Sequence, residues 1–347
     1  MTKAPASVLV VMPTWVGDAA LATPLIEALH QQYPDARKDF VIKPYLRGLL
    51  DDAPWLGDVF EMGRGRAFWS LRAKLARARY DWGILLPNSL RPAILLFMAG
   101  VARRIGYARN GRSPLLTDRL RFPDTKGRTV PFRMVDFYGA IGTQLDLGMG
   151  LPNRTELRLY VRDEIRERAG RLLHDSGVTG SAPIVGLNPG AKYGSSKLWP
   201  VESFAQTGDA LAKKLAAQIV VMAGPGEDEL AADIVARMSA HAVAIASASV
   251  DLEMLKGVVS HLDLLVTNDT GPRHIAAALR VPTVALFGPT HTLWGNSGFE
   301  KAVDLSIEVD CGPCMQRTCP LGHHKCMNNL EPAAAITAAA SLLERDG

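Results

Sequence analysis

Leu264-Leu-Val-Thr-Asn-Asp-Thr-Gly-Pro-Arg-His-Ile-Ala-Ala-Ala-Leu279 carries an apolar run into a polar turn and straight on into a helix start. Leu262, Leu264, Leu265 and Val266 suit a strand covered on both faces, the usual state of a parallel sheet. Thr270 and Gly271 make the turn, and Pro272 falls where proline favours the first helical turn. The free amides of such a helix start, with the positive end of its dipole, form an anion cradle suited to the pyrophosphate of a nucleotide. Asp269 adds a carboxylate beside the turn, and His274, four positions beyond Thr270, faces the same side of the helix.

The same strand, loop and helix rhythm runs outward from that stretch. Before it come a strand over Ile184–Asn188, a loop to Pro200 and a helix over Val201–Leu215. A strand over Gln218–Met222 follows, then the loop Gly224-Pro-Gly-Glu227 and a helix over Asp228–Met238; after the opening stretch comes a strand over Thr283–Phe287. The first half repeats the rhythm with a strand over Val8–Met12, the loop Pro13-Thr-Trp-Val-Gly-Asp18, and a helix over Ala19–Gln32 whose Leu21, Leu25, Ile26 and Leu29 share a face. Phe40–Ile42 and Trp82–Leu86 read as further strands, the second ending at Pro87-Asn88-Ser89. Strands alternating with helices predict an α/β chain with parallel sheets, whose ligands sit at the carboxyl ends of the strands. The chain changes character between Leu151 and Ala182, through Pro152-Asn153-Arg154 and a charged helix near Arg162 to His174, and we take this as the linker. Two doubly wound, Rossmann-like domains facing a cleft are predicted, over 1–160 and 161–330, with an alanine-rich helix over 331–345 packing back on the first.

The length of 347 residues and 48% hydrophobic content suffice for two cores. The apolar run Pro92 to Val101 falls well short of the roughly 20 residues that cross a bilayer. The N-terminal apolar run is strand-like and broken at once by Pro13, so it does not read as a signal peptide, and a cytoplasmic location is expected. The formal net charge of +4 conceals an asymmetry: residues 64–133 hold sixteen Lys or Arg against three acids. Such a block is either a solvated basic face or a surface for an anionic partner, whether nucleic acid, an acidic membrane or a phosphorylated lipid. Aromatics are little interleaved with these basic residues and no DNA-reading helix pattern is present, which argues against nucleic acid.

Four loops at strand ends carry a resemblance: Trp15-Val-Gly-Asp18, Asn188-Pro-Gly-Ala191 with Lys197-Leu-Trp-Pro200, Gly224 to Glu227, and Asn268-Asp-Thr-Gly271 with His274. Together they resemble the lipopolysaccharide heptosyltransferases, over nearly the whole chain, and Pro13 to Asp18 with Leu86-Pro-Asn-Ser89 look most like the second enzyme of that series. The resemblance implies the two-domain glycosyltransferase B fold and inverting transfer of heptose from ADP-L-glycero-D-manno-heptose to the heptosyl-Kdo2-lipid A inner core. It also implies no catalytic metal or cofactor, peripheral contact with the inner membrane, and a monomer.

Asp18 matches the family's general base; the bland alternative is a helix cap. Lys197 matches a lysine that meets the donor phosphates, with Lys192 nearby. Thr270, Gly271 and His274 match the phosphate cradle, with Asp269 beside them. Glu227 matches an acid that holds ribose hydroxyls, and Val250 a position near the adenine. Asn88, Ser89 and Arg91 are the expected acceptor-binding residues. Rival readings are a first- or third-type heptosyltransferase, a uridine-sugar transferase or epimerase, and, from another class, a nucleic-acid binding module.

The cysteines stand outside that scheme. Cys311, Cys314, Cys319 and Cys326, the four in the chain, fall within one short segment that also holds His323 and His324. Such crowding suggests a structural zinc or iron–sulfur site, although the spacing is not that of a standard zinc knuckle; free thiols or a local disulfide are the alternatives.

Overall fold

The computed structural model describes residues 4–123, 132–149 and 155–344. Pro152 to Arg154 of the expected linker, and Asp124, Lys126 and Arg128 of the basic block, lie outside the described residues. Contacts divide the chain into a unit running to Tyr160 and a second from Val161 onward.

The first unit runs β1 (Ser7–Val11), α1 (Val16–Leu21), α2 (Thr23–Gln32), β2 (Arg37–Ile42), α3 (Arg47–Leu50), β3 (Val59–Glu61), α4 (Arg66–Ala78), β4 (Trp82–Leu85), α5 (Leu90–Met98), β5 (Arg103–Ala108), β6 (Asp118–Arg121) and α6 (Met134–Gln144). All its strands pair in parallel, in the order β3-β2-β1-β4-β5-β6. β1 lies between β2 and β4, with Val8 registered on Lys38 and Trp82. Every residue of β1 is buried, as an apolar strand at the centre of a doubly covered sheet must be.

The single helix expected over Ala19–Gln32 is two helices, parted at Ala22. Pro24 has no N–H to continue the ladder, and the Thr23 hydroxyl takes the Ala20 carbonyl instead, at 2.7 Å.

The second unit runs α7 (Asp163–Asp175), β7 (Ile184–Asn188), α8 (Val201–Leu215), β8 (Gln218–Met222), α9 (Asp228–Arg237), β9 (Ala242–Ile245), α10 (Leu252–Val259), β10 (Leu264–Asn268), α11 (Gly271–Ala278), β11 (Thr283–Phe287), β12 (Ala302–Ser306), α12 (Lys325–Asn328) and α13 (Pro332–Glu344). Its sheet is also wholly parallel, in the order β12-β11-β10-β7-β8-β9. β10 is buried throughout, with Leu264 registered on Val185 and Leu265 on Thr283.

The alanine-rich tail corrects an expectation. α13 packs on the second unit, against α8 and the β10–β12 side of its sheet. Ala335, Ala339 and Leu342 join a core that includes Leu211, Val266, Val284 and Leu286. Small residues on that face let the helix backbone approach α8 and the sheet closely.

Each sheet reverses its winding once. In the first unit the reversal lies between β1 and β4; in the second it lies between β7 and β10. In open α/β sheets the crevice outside the carboxyl ends of those two strands is where ligands bind. The first turn of α1, just after β1, holds Asp18, the loop after β4 holds Asn88 and Ser89, and the loops after β7 and β10 hold Lys192, Lys197, Asp269 and Thr270.

Candidate functional site

In the second unit, the two loops at the reversal are stitched by side chains that point along the strand ends. Asn188 Nδ2 donates to Thr267 Oγ1 at 2.9 Å, and Asn268 Nδ2 donates to the Pro189 carbonyl at 2.5 Å. This fixes the start of α11 beside the loop that carries Lys197. The Lys197 ammonium donates to Asp269 Oδ2 at 2.5 Å and to the Asp269 carbonyl at 2.8 Å. An ammonium has three donors, so one is left for a ligand.

Asp269 is the hub of the cluster. Besides Lys197, its carboxylate accepts from Thr290 Oγ1 at 2.6 Å, and its Oδ1 lies 3.0 Å from Arg273 Nε. Burial alone would raise the Asp269 carboxyl, but the charges of Arg273 and Lys197 outweigh it and hold the group down at about 2. Arg273 Nη1 also approaches Asp304 at 3.5 Å, and its guanidinium carbon lies 4.8 Å from the centre of the Phe287 ring. Arg273 Nη2 is buried without a hydrogen-bond partner among the described residues. Burial pushes the Asp304 carboxyl up. Lys197 and Arg273 both flank Asp269 at the N-terminus of α11, an arrangement that suits an anion.

His274 is 6% exposed and held neutral, first by burial and then by the neighbouring Arg273 charge. A neutral imidazole offers one donor and one acceptor, so its use here is hydrogen bonding and not charge. Thr270 is the N-cap of α11 without a side-chain cap bond of its own, and Gly271 opens the helix.

Glu227 lies at the N-cap of α9, where its carboxylate accepts from the Ala191 amide at 3.1 Å and the Gly224 amide at 2.9 Å. It ties the loop after β7 to the loop after β8. The tie explains Gly190, because a Cβ there would stand 1.8 Å from Glu227 Oε2. Val250 lies half-buried in the loop between β9 and α10, and Lys192 is exposed.

In the first unit, α1 has Trp15 as its N-cap, so Asp18 sits in the first turn instead of capping it. Asp18 is half-buried, close enough to Tyr138 to add to the upward push that burial gives that phenol. The loop after β4 is held from beneath by Arg112, which is fully buried. Arg112 donates to the Tyr107 carbonyl at 2.7 Å, to Asn88 Oδ1 at 3.0 Å and to the Pro87 carbonyl. Burial pulls the Arg112 guanidinium down to about 10. Ser89 is the N-cap of α5, and Arg91 is turned to the Gly63 carbonyl and the Phe68 ring.

Sequence reasoning missed Arg273, Thr290, Asp304 and Arg112. Arg273 follows Asp269 by four residues across a helix start, a spacing that could have exposed it. Arg112 was counted with the basic block, yet it is spent inside, as is much of that block: Arg103 pairs with Asp118 at 2.6 Å, Arg104 donates to the Leu115 and Val101 carbonyls, and Arg72 to that of Met98.

The family model described as glycosyltransferase family 9 (heptosyltransferase) matches residues 68–325. Lipooligosaccharide heptosyltransferase 2 of Haemophilus ducreyi is 29% identical over 97% of this chain and 99% of its own length. Lipopolysaccharide heptosyltransferase 2 of Escherichia coli K12 is 26% identical over 97% and 98%. The solved structure of the E. coli ADP-heptose lipopolysaccharide heptosyltransferase II superposes with a TM-score of 0.82 at 26% identity, covering 98% of this chain and 99% of that one. With both sheets parallel and wound as that fold requires, and with a family model spanning most of both units, the chain belongs to glycosyltransferase family 9, the heptosyltransferases.

Proposed function

We propose that the chain transfers heptose from ADP-heptose to the inner core of lipopolysaccharide, in the manner of a type 2 heptosyltransferase. The observation that carries this is the cationic cluster at the second sheet's reversal: Lys197 and Arg273 around Asp269 at the N-terminus of α11. It has the charge and the free donor that a departing diphosphate needs. The similarity to type 2 heptosyltransferases over almost the full length supports the choice of donor.

In the reaction we infer, an acceptor hydroxyl attacks the anomeric carbon, the bond to the diphosphate oxygen breaks, and Asp18 takes the hydroxyl proton. Such a base is what the poor nucleophilicity of a sugar alcohol calls for, whereas a diphosphate leaves with charge neutralisation alone. Lys197 and the amides of Thr270 and Gly271 receive the phosphates, with His274 as a neutral hydrogen-bonding partner. Lys192 extends the same positive loop. Glu227 offers its remaining lone pairs to ribose, and Val250 lies toward the adenine. Asn88, Ser89 and Arg91 take the acceptor.

We further infer a monomer that touches an anionic membrane surface through its first unit. No described helix is long and apolar enough to cross a membrane. Trp69 on α4 is 54% exposed and Phe97 and Leu90 on α5 are 51% and 41% exposed, beside exposed Arg66, Lys74 and Arg77. Exposed apolar side chains on a unit that also carries exposed cations suit a headgroup layer.

The decisive assay offers ADP-heptose and uridine-diphosphate sugars in parallel to defined inner-core acceptors. Transfer from ADP-heptose to a heptosylated acceptor supports the reading; transfer solely from a uridine donor overturns it. Co-sedimentation with vesicles containing phosphatidylglycerol, and loss of it in Trp69→Ala/Phe97→Ala, tests the membrane face; equal binding by the double variant overturns that part.

A further inference from the structure

The cysteine segment is not used by the reaction above, yet it is built into the loop that carries Lys197. The Tyr193 hydroxyl donates to the Met315 carbonyl at 2.7 Å, Ser196 Oγ to the Gln316 carbonyl at 2.6 Å, and the Ser196 amide to the Arg317 carbonyl at 3.1 Å. The approach is close enough that a Cβ at Gly194 would stand 2.2 Å from the Arg317 carbonyl oxygen. On its other side the Met315 amide donates to the Pro289 carbonyl at 2.8 Å, next to the Thr290 that serves Asp269. The backbone just after Cys314 therefore ties the Lys197 loop to the loop after β11, whose Thr290 serves Asp269.

The cysteines themselves converge. Cys311, Cys314, Cys319 and Cys326, all unpaired, line one cavity of about 190 Å³ together with His323 and His324. The backbone bends around them: Met315, directly after Cys314, has φ 56°, and Gly322 and His324, after Cys319, have φ 68° and 48°. Left-handed residues cost a non-glycine side chain free energy, so Met315 and His324 hold this conformation against their preference. The backbone amides of Leu321, Gly322, His323 and His324 turn toward the Cys319 sulfur, which accepts from them. His324 Nε2 is buried without a hydrogen-bond partner among the described residues. Met315 and Gly322 both follow closely on a cysteine, and a short Cys-x-x-Cys turn opens the set. Among the described residues no three His, Cys, Asp or Glu side chains stand as a ready ligand set, so metal binding here requires the thiols to close in.

We propose that Cys311, Cys314, Cys319 and Cys326 bind one zinc or iron ion as a tetrathiolate site, and that the ion splints the Lys192–Lys197 loop. Binding is not a redox step: each thiol gives its proton to water and its sulfur to the metal, at about 2.3 Å for zinc. Four thiolates around a divalent ion leave a net negative site, and Arg317 and Lys325 of the same segment supply compensating charge. Thiolate ligation selects zinc or iron over magnesium or calcium. The splinting role rests on the donor-site reading of Lys197; the metal site does not.

The test uses the full chain, expressed with zinc and iron both supplied and purified anaerobically without chelator. Mass spectrometry of the metal content is expected to find one zinc or iron ion per chain, and the absorption spectrum distinguishes iron–thiolate from zinc. Replacement by Co²⁺ is expected to give intense sulfur-to-cobalt charge-transfer bands. Cys314→Ser and Cys319→Ser, each checked for retained far-ultraviolet dichroism, are expected to lose at least about tenfold in metal occupancy, as thiolate ligands are removed. Protein that retains no metal either as purified or after anaerobic loading overturns the site, as does a thiol count in denaturant that reveals disulfides. For the splint, stripping the metal is expected to weaken ADP binding about tenfold or more, an effect of ligand-loop disorder. Unchanged ADP binding overturns the splint alone; metal-loaded protein that binds no ADP at all overturns the donor reading and leaves the metal site standing.

Discussion

At the residue scale the second unit's cationic cluster is organised by one carboxylate. Asp269 is held down at about 2 by the charges of Arg273 and Lys197, which outweigh the upward push of its burial. Its unfolded value is 3.8, so its contribution to stability, about 2 kcal/mol in gross terms, is present above pH 3.8 and lost as pH falls toward 2. Asp269→Asn is therefore expected to lower Tm at neutral pH, and the gap between wild type and variant is expected to close between pH 4 and pH 2 in thermal melts. A gap independent of pH would show that the ion pairs do not act. Asp18→Asn is expected to cut transfer by about 10² to 10⁴-fold, the usual contribution of a general base, with ADP binding by calorimetry unchanged. Asp18 stands in the first turn of α1, in a stretch the sequence singles out, whereas Arg273 went unnoticed although its four-residue spacing from Asp269 was there to read.

At the scale of elements, loops are fixed by side chains reaching from neighbours. Glu227 joins the loops after β7 and β8 in the space that Gly190 leaves free. Gly190→Ala is expected to cost on the order of 1–3 kcal/mol through overpacking. Most of that loss should return in Gly190→Ala/Glu227→Ala, where the clash is gone, and a denaturation cycle over the four proteins measures the coupling. Arg112 plays the corresponding part under the loop after β4. Arg112→Met leaves the Pro87, Asn88 and Tyr107 acceptors unserved and is expected to cost about 3 kcal/mol or more. A change below about 0.5 kcal/mol in urea unfolding, the range of an ordinary surface substitution, would place Arg112 outside the support of this loop. The strands that support these loops were legible as apolar runs: Ile184–Asn188, Gln218–Met222 and Thr283–Phe287 fall at the positions the pattern marks. The short β3, β6 and β12 carry charged residues and weak alternation, so pairing with neighbours and not their own composition makes them strands.

At the scale of the whole molecule, the chain resolves into two doubly wound units whose reversals set where chemistry is presented. α13 belongs to the second unit's core, so truncation after Glu331 is expected to remove hydrogen-exchange protection from α8 and β10–β12 while leaving β1–β6 protected. Loss of protection in the first unit would contradict that assignment. The sequence by itself determined the class of fold and where the strand-end loops fall, because strand burial, helix starts and turn chemistry are local and write themselves into periodicity. Tertiary structure alone decided which charges remain available. Arg112, Arg103 and Arg104 look like surface cations in the sequence and are consumed inside the first unit. Lys197 and Arg273, 76 residues apart in the chain, meet at Asp269 because β7 and β10 are neighbours in the sheet. Whether a charge is spent or free depends on partners that are distant in sequence, and folding is what brings them together.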